Sequence, residues 1–199
     1  MTETERAYYD RRASEYDEWY LGLGQFARRS RPGWAEELTA LKAVLAALPL
    51  GSFLDVACGT GFLAASLPGR VTGLDQSMAM LSIAQRAIPL GAFVQGDAMQ
   101  LPFRPRQFDS LVTGHFYGHL DEGARRRFLD EARRVSKSIL VIDAAKRDDV
   151  PAEEYQERVL NDGSRHVVYK RYFTPESLLA ELGTGRTLHA GRWFVAVLA

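Results

Sequence analysis

A single cysteine among 199 residues leaves no partner for an intrachain disulfide, which fits a reducing, cytoplasmic setting. Nor is either sign of charge in excess: Lys+Arg and Asp+Glu number 25 each, so no overall field draws in nucleic acid or an anionic membrane. Partners must be sought in local sites. No apolar run approaches the roughly 20 residues that a bilayer span requires. The opening residues, rich in Glu, Arg and Tyr, lack the apolar centre of a secretory signal. There is no internal repeat and no low-complexity tract. What is present is ordinary for a globular chain, with 46% hydrophobic and 25% charged residues. The length suits one well-buried domain spanning 1–199 and is short for two.

The informative stretch is 53–65, which reads as a buried strand, a glycine turn and the first turn of a helix. Gly59 and Gly61 allow a sharp turn and close approach of a ligand, since neither carries a Cβ. Asp55 stands at the carboxyl end of an otherwise apolar strand, where a carboxylate is costly to bury unless it meets a cation or hydrogen-bond donors. Cys58 sits in the same loop and has no paired base nearby in sequence, so a small tolerated residue is the simpler reading than a nucleophile. Gly59-x-Gly61-x-x-Ala64 also satisfies the dinucleotide fingerprint, a weak signal alone. A pyrophosphate cradled there would be repelled by Asp55.

Apolar spacing predicts a helix over 34–48, ended by Pro49 and Gly51. Further helices are expected over 62–67, 76–87, 121–135, 151–160 and 174–182, and strands over 71–74, 92–95, 108–113, 138–144, 165–173 and 193–198. Strands alternating with helices imply right-handed crossovers and a doubly wound, mostly parallel α/β sheet. Residues 2–31 hold Tyr8, Tyr9, Tyr16, Trp19 and Tyr20 among charges, which suggests a helical cap, separable from the core up to residue 20, that acts as a lid. Behind it, Arg28, Arg29 and Arg31 form either a solvated face or a ligand-carboxylate contact. The expected division is a cap over 1–31, a cofactor-binding core over 32–145 and a substrate-side segment over 146–199.

Asp55-x-x-x-Gly59-x-Gly61 resembles the first motif of the class I S-adenosylmethionine-dependent methyltransferases of small-molecule type, and the likeness runs over roughly 53–144, more loosely into the Tyr-rich cap. Acids recur one βα unit apart at Asp75 and Asp97, each at a strand end, where open α/β sheets bind ligands. The resemblance implies a Rossmann-like fold with seven strands, the last antiparallel, and S-adenosylmethionine as methyl donor with S-adenosylhomocysteine as product. It implies that Asp55 faces the donor's ammonium, Asp75 the ribose hydroxyls and Asp97 the adenine amino group. Tyr16, Ala57, Gly59, Gly61, Gln76, Met80, Ala98, Met99 and His115 complete the donor set under that resemblance.

The Asn/Asp-Pro-Pro-Tyr/Phe signature of amino-methyltransferases acting on bases or glutamine is missing after the fourth strand, where His115 to His119 stand instead. A small-molecule acceptor is therefore expected, with no nucleic acid or membrane partner, in a monomer or homodimer. His119, Tyr117 and His115 are the candidate catalytic residues, His119 first as general base because histidine titrates nearest neutrality. His119 acting as hydrogen-bonded support is the other reading. His115 and His119, four residues apart, lack the third ligand that catalytic zinc needs, so no metal is expected. Two other classes stay open at this point: an NAD-dependent oxidoreductase, and a subunit that binds S-adenosylmethionine without catalysis.

Overall fold

The computed structural model describes residues 3–199, with side chains from Ala7 onward. Its centre is β1 (Ser52–Val56), which pairs in parallel with β2 (Arg70–Asp75) on one side and β4 (Phe108–Gly114) on the other. A strand so covered on both faces must be apolar, and Phe53, Leu54 and Val56 are buried. β3 (Ala92–Gln95) extends the sheet beyond β2, and β5 (Ser136–Ala144) extends it beyond β4, both in parallel. β9 (Phe194–Leu198) then runs antiparallel to β5, with β8 (Arg186–Ala190) antiparallel to β9 at the edge, giving the order β3-β2-β1-β4-β5-β9-β8. This is the expected seven-stranded sheet. Only β8, a polar edge strand with a register shift between Thr187 and His189, had no sequence signal.

Helices cover both faces. α3 (Trp34–Ala46) buries Leu38, Leu41 and Leu45 in a core with Phe53, Val112 and Leu140. α5 (Glu122–Val135), capped by the Asp121 carboxylate on the Ala124 amide, buries Phe128 and Leu129 in the opposite core with Leu54, Leu111 and Val141. α4 (Met78–Ala87) and α6 (Pro175–Leu182) complete the layers, the latter opened by a reciprocal Thr174/Ser177 capping box.

Two expectations fail for local reasons. The helix expected over 62–67 is a single 3-10 turn, Ala64–Ser66, because Leu67 is already extended and Pro68 follows it. The glycine loop therefore faces no α-helix N-terminus. The helix expected over 151–160 is instead β6 (Glu153–Val159), which forms an antiparallel hairpin with β7 (Arg165–Arg171) outside the main sheet. Glu154, Gln156 and Arg158 are half-buried while Glu153, Tyr155, Glu157 and Val159 are exposed, a period of two that no helix presents.

The N-terminal segment is helical as expected, with α1 (Glu3–Arg12) and α2 (Glu18–Leu21) joined through the 3-10 turn Ala13–Glu15. Its aromatic end belongs to the core. Tyr20 stacks on Phe62 with centroids 4.2 Å apart, and Trp19 meets Trp34 edge-on at 4.8 Å. The separable part of the cap thus ends before Trp19. Deleting residues 1–17 is expected to leave a cooperative thermal transition, whereas deleting 1–21 removes two packed aromatics worth about 3 kcal/mol or more each and should abolish it. Equal transitions in the two truncations would show that Trp19 and Tyr20 do not hold the fold.

Candidate functional site

Strand order reverses between β1 and β4, which opens a crevice at their carboxyl ends. The chain leaves both strands through non-glycine residues in the left-handed region, Ala57 at φ 57° and His115 at φ 56°. Such conformations are unfavourable for L-residues and cluster where function over-determines the backbone. Gly59 follows at φ 54°, and the Tyr16 ring lies over it, 3.5 Å from where a Cβ would stand.

Two acids organise this crevice differently. Asp75 is built into the loop: its carboxylate accepts the Gly59 amide at 2.9 Å and the Ser77 amide at 2.9 Å. Burial raises its pKa, and those amides work against the rise. Asp55, 4% exposed, makes no hydrogen bond among the described residues and lines a small cavity with Tyr16, Tyr20 and Ala57. Burial, with the Asp75 charge adding to it, pushes the Asp55 carboxyl up to about 8. Among the described residues no cation pairs with either carboxylate, which makes this a site suited to an ammonium and to hydroxyl donors.

Most of the expected donor set converges there. Tyr16, Ala57, Gly59, Asp75, Gln76, Met80 and His115 line one cavity of about 30 Å³, and the buried Gln76 amide nitrogen lacks a hydrogen-bond partner. Asp97 and Ala98 border an adjoining flat slot with Leu74, Gly96 and Phe116, and the Asp97 carboxylate accepts the Met99 amide at 2.9 Å. Met99 faces the wider cleft beyond. Gly61 differs from the expectation of ligand contact. At φ 77° it packs against α4, where a Cβ would meet Ala84 and Ile88 at 3.3 Å.

The wider cleft, about 560 Å³, opens between α1, the hairpin and the turn Tyr117–His119. His119 lines it. Its Nδ1 lies 2.6 Å from the Tyr169 carbonyl oxygen, which can only accept, so Nδ1 carries the hydrogen and Nε2 keeps a lone pair. Burial first, then Lys170 and Arg158, holds the His119 pKa well below its usual value and the ring neutral. His115, 8% exposed, makes no ring hydrogen bond among the described residues, its Nδ1 lying 3.9 Å from the Asp143 carboxylate, and burial lowers its pKa to about 3. It faces the donor cavity rather than the cleft. Tyr117 contradicts its expected catalytic place. Fully buried against Phe128 and Phe173, it donates its hydroxyl to Glu181 of α6 at 2.8 Å, because the 3-10 turn sends residues 117 and 119 to different sides.

Behind His119, the fully buried Asp143 accepts from Lys170 Nζ at 2.5 Å and from the Gly118 amide at 2.7 Å. Burial opposes the Asp143 charge, but the Lys170 ion pair more than offsets this and holds the carboxyl low. Among the cap arginines, Arg28 and Arg29 are exposed and Arg31 donates to the Trp19 carbonyl at 2.7 Å, so none reaches the crevice. Arg12 and Arg158 lie near it instead, and nothing in their sequence pattern singles them out once 151–160 is taken for a helix.

Comparison with known proteins agrees with this geometry. A family model described as a methyltransferase domain matches residues 54–140. Demethylmenaquinone methyltransferase of Thermotoga maritima is 43% identical over 89 residues, 42% of this chain and 38% of that protein. 2-Phytyl-1,4-naphtoquinone methyltransferase of Trichormus variabilis is 36% identical over 151 residues, 69% of this chain and 62% of that protein. The chain thus spans less than two thirds of the length of these curated relatives. The solved DhpI-SAH complex superposes with a TM-score of 0.72 at 25% identity, covering 98% of this chain and 94% of that one.

Proposed function

We propose that this chain is a class I S-adenosylmethionine-dependent methyltransferase that methylates a small molecule, releasing S-adenosylhomocysteine. The observation that carries the reading is Asp55, a buried carboxylate without a partner beside the glycine loop. The donor's ammonium supplies the missing cation, Asp75 accepts from the ribose hydroxyls, and Asp97 with the Ala98 and Met99 backbone edges the adenine slot. In the reaction the acceptor's lone pair forms a bond to the methyl carbon as the carbon–sulfur bond breaks, and its electron pair neutralises the sulfonium. Alignment of the acceptor supplies much of the rate. If the acceptor carries a proton, His119 Nε2 takes it. His115 belongs beside the donor, and Tyr117 plays a structural part.

The part of the cap ahead of Trp19 acts as a lid on the core, with 146–199 supplying the acceptor side. Its ties to the core are short, Asp17 to Thr60 at 2.6 Å and Asp10 to Ser77 at 2.5 Å. The donor cavity beneath it has room for about one water, so the lid must lift for the donor to enter. The zero net charge supports a small-molecule acceptor over nucleic acid. No helix of the described residues is long and apolar enough to cross a membrane. We read the protein as a cytoplasmic monomer or homodimer.

An NAD-dependent oxidoreductase is disfavoured because a pyrophosphate would find a 3-10 turn instead of an α-helix N-terminus, and Asp55 opposing it. Calorimetry is expected to show saturable binding of S-adenosylhomocysteine and none of NADH; the reverse would overturn the reading. Methyl transfer to a panel of small acceptors separates an enzyme from a non-catalytic binding subunit.

A further inference from the structure

The inward face of the hairpin carries an unusual charge. β6 and β7 pair Arg158 with His166 and Glu154 with Lys170, and the burial alternation turns this set of side chains toward the cap. Arg12 of α1 comes down from the other side. It is 8% exposed, donates to the Tyr8 hydroxyl at 2.9 Å and lies 4.7 Å over the Tyr16 ring. Arg158 donates to Gln156 at 2.8 Å. Among the described residues, no carboxylate stands within 4.0 Å of either guanidinium. Glu154 is held by Gln156 and Tyr172, and Asp143 by Lys170 and two backbone amides.

Like charges on facing elements, Arg12 buried and Arg158 half-buried, cost free energy unless an anion joins them. Burial and the Arg12 charge both press the Arg158 guanidinium below its ordinary value. A second sign of an absent ligand is His115, more than nine-tenths buried at the donor cavity with Nδ1 3.9 Å from the Asp143 carboxylate and neither ring nitrogen hydrogen-bonded among the described residues. Arg12, Arg158 and Lys170 bring three positive charges, and Asp143 and Glu154 two negative, neither of the two within 4.0 Å of Arg158. The donor's own carboxylate can neutralise one more, most readily Arg12, whose partner Tyr16 lies over the glycine loop. Arg158 is still without a carboxylate in contact among the described residues.

We infer that the methyl acceptor is itself an anion, bearing a carboxylate or a phosphate-like group that seats on Arg158 between hairpin and cap and draws the lid closed. The inference rests on the methyl-transfer reading above. His166, the cross-strand partner of Arg158, lines the wider cleft together with His119, so an oxyanion held on that face borders the cleft that His119 faces.

The test uses protein saturated with S-adenosylhomocysteine and titrated with sodium phosphate at constant ionic strength, followed by calorimetry and by the His119 imidazole resonances. Saturable binding is expected, weakened at least tenfold in Arg158→Met and largely restored in Arg158→Lys. Failure of phosphate to bind the loaded protein overturns the inference, as does equal affinity in Arg158→Met. Binding to the empty protein that S-adenosylhomocysteine abolishes would assign the cluster to the donor's carboxylate and also overturn it. If Arg158→Met does not unfold cooperatively, the wild-type and Arg158→Lys titrations decide. Failure of S-adenosylhomocysteine to bind at all would strike the methyltransferase reading beneath.

Discussion

Replacing Asp75 with alanine is expected to weaken S-adenosylmethionine binding by about 2 to 4 kcal/mol and to destabilise the empty protein as well. The binding loss is the scale of leaving ribose hydroxyls without a charged acceptor. The stability loss arises because the same carboxylate satisfies the Gly59 and Ser77 amides, and each buried donor left unpaired costs about 1 to 3 kcal/mol. Removal of a buried charge offsets part of that. Asp75→Asn keeps one acceptor oxygen and should recover part of the stability but little of the affinity. Calorimetry on a cooperatively folded Asp75→Ala protein with unchanged affinity would remove Asp75 from the donor site.

The second large effect is expected at His119. If its Nε2 is the base, His119→Ala should lower turnover about 100-fold while donor affinity stays within about twofold. The pH profile adds a sign. The folded pKa lies below the free value of about 6.5, so the ring remains a proton acceptor as pH falls through neutrality. Turnover of the wild type should not drop between about pH 7.5 and 6.5 through protonation of this ring. A His119→Ala variant that turns over its acceptor at a near-normal rate would leave His119 as a brace for the Tyr169 carbonyl.

The crevice proposed for the donor was legible in the sequence because its signals are local. Asp55, Gly59, Asp75 and Asp97 each stand at a strand end, and the parallel sheet brings strand ends together whatever the loops do. The acceptor half was not legible for two reasons. Residues 151–160 carry mostly charged side chains, so their alternation is one of burial rather than of hydrophobicity, and periodicity has little to register. The turn at 117–119 is too short for its side-chain directions to be read from spacing, which is how Tyr117 looked like a neighbour of His119 and proved to be bonded to Glu181. The extent of the cap was misjudged because Trp19 and Tyr20 share the polar composition of the lid yet pack with Trp34 and Phe62.

In the proposed site, Asp55 waits for the donor's ammonium. An empty-site carboxyl near 8 is mostly protonated at pH 7, and a cation favours its charged form, so binding must expel the proton. Calorimetry of S-adenosylhomocysteine at about pH 7, in buffers of different ionisation enthalpy, is expected to show release of about one proton, with affinity falling up to about tenfold per pH unit below 8. Methylthioadenosine, which keeps the adenosine and lacks the ammonium, should bind with no such release. Equal proton release by the two ligands, or none by either, would contradict the assignment of Asp55.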